Sequence, residues 1–137
     1  MARRYLTLIL AATFCLSSCK KEEDKAVNVD TSILTNDLAV YYYKLPFESK
    51  YDTYIDCMAS CDSTTQEYKN RMKDILKHHT ETVRKDRTGI DSIRVERTQY
   101  NLKHDAAYVY MNVFYKDKSS EEVLFPLVYV DKKWKIR

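Results

Sequence analysis

The sequence predicts an α+β domain in which three helices precede an antiparallel sheet of about four strands. Three observations carry this reading. Apolar residues recur every three or four positions from Leu34 to Val83, and every second position from Ile93 onward. The period changes at Gly89, the only glycine among the 137 residues. The links between the alternating segments are too short for crossover helices, so consecutive strands must run antiparallel. Helices first and strands afterwards is an α+β order.

Each element has its own justification. Ser32 to Lys44 places Leu34, Leu38, Tyr41, Tyr42 and Leu45 at helical spacing. Pro46 interrupts this run but suits the first turn of a second helix, along which Phe47, Tyr51, Tyr54, Ile55 and Met58 form a stripe. Ser63-Thr64-Thr65-Gln66 fits a capping box for the third helix. Tyr68, Met72, Ile75, Leu76, His79 and Val83 mark its apolar face. Arg84, Lys85 and Arg87 crowd its last turn, where cations suit the helix dipole, and Gly89 stands where a carboxyl-terminal cap needs positive φ. Ile93 and Val95 then alternate with Arg94 and Glu96. Ala106 to Lys116 has one face of Tyr108, Tyr110, Asn112 and Phe114 and another of Val109, Met111, Val113 and Tyr115. Val123 to Val130 is apolar on both faces, with Pro126 expected at an edge or bulge. Trp134 and Ile136 alternate with Lys133, Lys135 and Arg137.

The first 24 residues predict an address. Arg3 and Arg4 precede an uncharged stretch from Tyr5 to Leu16. A bilayer-spanning helix needs about 20 apolar residues, so this shorter stretch reads as a signal peptide. It runs into Leu16-Ser17-Ser18-Cys19, which resembles the lipobox of bacterial lipoproteins. That resemblance implies cleavage before Cys19, removal of residues 1–18 together with Cys15, and acylation of Cys19. Several acyl chains anchor a protein stably where one does not. The following Lys20-Lys21-Glu22-Glu23-Asp24 resembles the export signal of Bacteroidetes-type surface lipoproteins, which implies that Lys21, Glu22, Glu23 and Asp24 direct the protein to the cell surface. Residues 19–31 then form the lipidated cysteine and a short tether, and residues 32–137 the single domain.

Composition excludes several functions. Loss of Arg3 and Arg4 lowers the formal charge of +3 to +1, which leaves no electrostatic footprint for nucleic acid. One glycine cannot build a phosphate-binding loop or a dinucleotide turn. Seven acids and two lysines in residues 30–67, against seven bases and three acids in residues 69–87, predict attraction between adjacent helices or a basic patch.

The closing Val128-Tyr129-Val130-Asp131-Lys132-Lys133-Trp134-Lys135-Ile136-Arg137, with the element order of residues 32–137, resembles nuclear-transport-factor-2-like domains. These occur in small bacterial lipoproteins of unassigned function. The resemblance implies a curved sheet wrapped on the helices into a cone with a pocket. Tyr41, Tyr42, Tyr51, Tyr54, Tyr108 and Tyr110, with Tyr43, could line such an interior, since tyrosine offers aromatic area and one polar tip; core packing is the other use for them. Ketosteroid isomerases of this fold pair an aspartate with a tyrosine. Asp52, Asp56 and Asp105 are available here, but no motif matches, and fold alone does not license activity.

Cys57 and Cys61 are the remaining cysteines of the mature chain. A disulfide is allowed in an exported protein, provided that the second helix has ended near Met58, because helical spacing holds such cysteines too far apart. No second ligand pair supports zinc. His78 and His79 point about 100° apart on a helix; His79 falls on the apolar stripe as a core histidine, and His104 lies in a turn. No metal, cofactor or catalytic residue is expected. The expected function is an envelope-anchored lipoprotein whose small domain binds a small molecule, glycan or envelope protein without turnover. The alternatives are an isomerase or dehydratase with a tyrosine-lined pocket, and a structural subunit of an envelope complex.

Overall fold

The computed structural model describes residues 29–137. The signal peptide, Cys19, Lys21, Glu22, Glu23 and Asp24 lie outside the described residues. Helix α1 spans Asn36–Lys44, α2 Tyr51–Asp56 and α3 Gln66–Arg87; strands β1 Ile90–Tyr100, β2 Ala106–Tyr115, β3 Ser120–Val130 and β4 Lys133–Ile136 follow. The strands form one antiparallel sheet in the order β1-β2-β3-β4. Among the described residues no helix is long and apolar enough to cross a membrane.

The helix boundaries follow local hydrogen bonding. α1 begins later than Ser32, because Asp30 Oδ1 accepts both the Ser32 amide (2.9 Å) and its hydroxyl (2.6 Å). That short-range pairing competes with helix. Thr35 is the cap instead, accepting the Leu38 amide on Oγ1 at 3.1 Å. Pro46 opens a 3-10 turn, Pro46–Glu48, which the left-handed Ser49 (φ 62°) ends. α3 is capped by Thr65, two residues beyond the expected Ser63, with Thr65 Oγ1 accepting the Tyr68 amide. It ends through Thr88 at φ 61° and Gly89 at φ 99°.

The buried line of α3 keeps Met72 and Leu76 of the expected stripe but continues through Thr80, leaving out Ile75 and His79. Thr80 is its only fully buried residue, with Met72 and Leu76 half-buried against the core. These recur every four residues, so α2 packs along the Met72-Leu76-Thr80 line. The Thr80 hydroxyl donates to the Lys77 carbonyl (3.1 Å) and shares a hydrogen bond with the Tyr51 hydroxyl (3.0 Å). Ile75 is left 60% exposed, and His79 is a surface residue edge-on to Phe47 rather than a core histidine.

Alternation holds along β2: Ala107, Val109, Met111, Val113 and Tyr115 are buried, and the residues between them face outward. Ala107, Val109 and Met111 of this set join Leu38, Tyr42, Leu45, Ile55, Phe125, Leu127, Trp134 and Ile136 in one core between helices and sheet. Pro126 lies in the third of four strands, yet its position is edge-like. Its carbonyl accepts the Arg137 amide on the β4 side, where the β3–β4 pairing has ended at Leu127 and Ile136. Its nitrogen faces that same side, so the missing donor breaks no bond to β2. Asp131 (φ 51°) and Lys132 (φ 62°) make the last hairpin with two left-handed residues, the pattern that suits strand twist.

Two further contacts close the domain. The Trp134 amide donates to the Thr31 carbonyl at 2.7 Å, and Val29 packs against the core, so residues 29–31 belong to the folded unit rather than to a loose tether. The Tyr42 hydroxyl donates to the Trp134 carbonyl at 2.7 Å.

Candidate functional site

The six tyrosines expected around a pocket do not converge, because strand alternation and helix packing send them to different surfaces. Tyr42 is buried against Trp134 and Tyr51 against Thr80. Tyr41 and Tyr54 are half-buried on the core. Tyr108 and Tyr110 lie on the opposite face of the sheet, turned away from the helices. The inner face is filled by side chains of α1 and α2, so among the described residues no tyrosine-lined cone interior joins them.

Burial pushes the Tyr42 and Tyr43 phenols well above the usual range, and that of Tyr54 to about 12. Tyr115 is also pushed up to about 12, first by burial and then by its hydrogen bond to Glu121 (2.9 Å). Cys57 and Cys61 are free thiols, so the disulfide that the sequence allows is not formed. α2 does end before Cys57, but Met58 between them is extended and bridges Ile136. Cys61 is buried in the core, while Cys57 lies beside Tyr42 and Tyr54. Burial and the neighbouring Asp56 push the Cys57 thiol up. A reactive cysteine needs the opposite shift.

What the structure does assemble is the outer face of the sheet. Tyr108, Tyr110, Asn112 and Phe114 stand in a row on β2. Alternate residues on a strand are about 6.6 Å apart. Tyr110 pairs with Leu124 and Tyr108 with Pro126 on β3, and Leu124 is 50% exposed. On β1 the pairing shifts between Val95 and Arg97, a bulge at Glu96. Without that extra residue Arg97 would point at the core. With it, Arg97 lies opposite Tyr110 and its guanidinium stacks 3.9 Å from the ring centroid. Arg94 lies 5.7 Å from the Phe114 ring. Glu96 accepts from Arg94 (2.7 Å) and Asn112 (2.8 Å), which lowers its carboxyl below the ordinary range. Arg137 reaches the Tyr108 hydroxyl at 3.5 Å. The result is an open aromatic face with guanidinium groups along it, suited to stacking and to hydrogen bonds with acceptors. Arg97 was missed from sequence. The only signal was the break in alternation at Glu96-Arg97-Thr98.

Elsewhere, a cleft of about 430 Å³ is lined by Lys44, Phe47, Glu48, Arg84, Asp91 and Lys116 among others. Its mixed charges recommend no one ligand. Among the described residues no group of three or more His, Cys, Asp or Glu side chains could hold a metal ion.

No protein-family model matches the chain, and no curated sequence matches it. Its structure is similar to that of a Campylobacter jejuni protein named an NTF2-like (nuclear-transport-factor-2-like) transpeptidase. The TM-score is 0.60 at 19% identity, over 74% of this chain and 97% of the other. The fold is therefore nuclear-transport-factor-2-like: three helices packed on a four-stranded antiparallel open sheet.

Proposed function

We propose that this protein is a bacterial, Bacteroidetes-type lipoprotein, anchored through Cys19 and displayed on the cell surface, whose domain binds a partner without turnover. The observation that carries the binding reading is the outer sheet face, where Tyr108, Tyr110 and Phe114 are presented with Arg97 stacked on Tyr110. An open sheet face suits an extended partner, a glycan or a protein surface, better than an enclosed small molecule. The structural neighbour is named a transpeptidase. Among the described residues the one half-exposed thiol, Cys57, has its pKa raised by burial, which supports binding over covalent chemistry.

Two experiments test this. Cys19→Ala should abolish metabolic fatty-acid labelling and leave an unprocessed precursor; surviving label would sink the anchor reading. The mature protein should be applied to immobilised envelope glycans and to envelope protein extracts of defined composition. Retention should be lost in Tyr110→Ala and in Arg97→Ala while melting behaviour persists. Retention that neither variant changes would place the site elsewhere, and recovery of chemically altered glycan would favour an enzyme.

A further inference from the structure

We infer that the end of the domain formed by the Asn101–Asp105 and Asp131–Lys132 turns is a membrane-docking surface whose ligand is the bilayer interface. This rests on the lipid-anchor reading. The first reason is where the chain enters. Thr31 is bonded to Trp134 on the last hairpin, and the Tyr129 amide donates to the Asp105 carbonyl at 2.7 Å, so the entry point and both turns share one end of the sheet. Nine residues lie between Cys19 and Val29, and so many residues reach at most about 33–36 Å even at full extension. The opposite end, at the Lys116–Ser119 turn, is a further ~30 Å away along β2. An anchor at Cys19 therefore keeps this end closer to the membrane than the other.

The second reason is what this end presents. Leu102 is 101% exposed, in a turn where a polar residue would be ordinary. The turn is closed by Asn101, whose Oδ1 accepts the amides of Asp105 and Ala106 at 3.0 Å each. Leu102 is thus held outward by a braced loop. Behind it, Tyr100 and Tyr129, both partly exposed, pack on Trp134 at 5.9 and 5.4 Å between centroids. An apolar tip backed by tyrosines is the arrangement that partitions to a bilayer interface, and flanking lysines such as Lys103 can lay their stems on it and keep their charge in water. Lys103, Lys132 and Lys133 are offset by Asp30, Asp105 and Asp131. Docking is therefore interfacial rather than electrostatic, and it resists salt. A single leucine does not hold a free protein on a membrane; it orients one already tethered.

The test tethers the mature chain, residues 19–137, by a histidine tag placed before residue 19. The vesicles contain phosphatidylcholine and phosphatidylglycerol at 3:1 with a nickel-chelating lipid, so the result does not depend on acylation. Leu102→Trp and Lys118→Trp are compared on vesicles with and without brominated acyl chains, against the Trp134 background of the unmodified chain. Added emission at position 102 should be quenched and blue-shifted, unchanged in high salt, while that at position 118 is unaffected. Hydrogen exchange of residues 101–105 should slow on vesicles in the unmodified chain and not in Leu102→Asp. Equal quenching at both positions, or none at 102, overturns the docking surface. Loss of the anchor reading is scored separately, by fatty-acid labelling of Cys19 in cells.

Discussion

Trp134→Ala tests the fold at its most connected residue. The ring is 6% exposed and packs against Tyr100 and Tyr129, while its backbone joins the entering chain at Thr31 and receives the Tyr42 hydroxyl. Truncation removes the ring and leaves a cavity between β4 and the helices. Such changes cost about 3–5 kcal/mol in cores, and each aromatic pair adds about 0.5–1.5 kcal/mol beyond area. Small domains have only about 5–15 kcal/mol in total. With roughly 4–8 °C lost per kcal/mol in a domain of this size, the midpoint should fall by on the order of 15–30 °C. Thermal unfolding followed by near-ultraviolet circular dichroism measures this, and urea unfolding should show a lower midpoint with an unchanged slope. A midpoint within a few degrees of the parent would mean that β4 is peripheral and that the core is wrongly drawn.

Further predictions follow from single contacts. Tyr42→Phe leaves the buried Trp134 carbonyl without its partner and should cost about 1–3 kcal/mol, less than Trp134→Ala; no loss in urea titration would mean that water replaces the hydroxyl. Thr80→Val breaks the link from Tyr51 to α3 and should destabilise by a similar ~1–3 kcal/mol, seen as faster hydrogen exchange in α3. The buried phenols of Tyr54 and Tyr115, at about 12 when folded and near 10 when unfolded, bind more protons folded than unfolded between those values. Stability should therefore fall as pH rises from about 10 to 12, with part of the tyrosinate absorbance appearing only on unfolding; complete tyrosinate formation in the folded protein would contradict this. Changing Glu22, Glu23 and Asp24 to Ala should protect the protein from external protease in intact cells, and equal shaving of both forms would remove the export role of the acids.

The order of elements, the period change at Gly89 and the inward Trp134 and Ile136 were legible in sequence because they are local: each depends on spacing within one segment. The address at Leu16–Cys19 was read in the same way and remains a proposal. What lay beyond local pattern was decided by packing. The expected stripe on α3 kept Met72 and Leu76 but passed through Thr80 rather than His79, because α2 selects which helical line it covers. The tyrosines were expected together because composition counts them without regard to side; alternation in β2 placed Tyr108 and Tyr110 outside while Tyr42 and Tyr51 went in. The thiols of Cys57 and Cys61 diverged because Met58 between them pairs with a strand 78 positions later in the chain. Arg97 reached the aromatic face only through a one-residue bulge, and a bulge is a property of two strands in register, not of either strand alone. Spacing along the chain therefore determined which elements form and where they end. Which face each side chain occupies was decided only when the elements met, because burial is a relation between surfaces far apart in sequence.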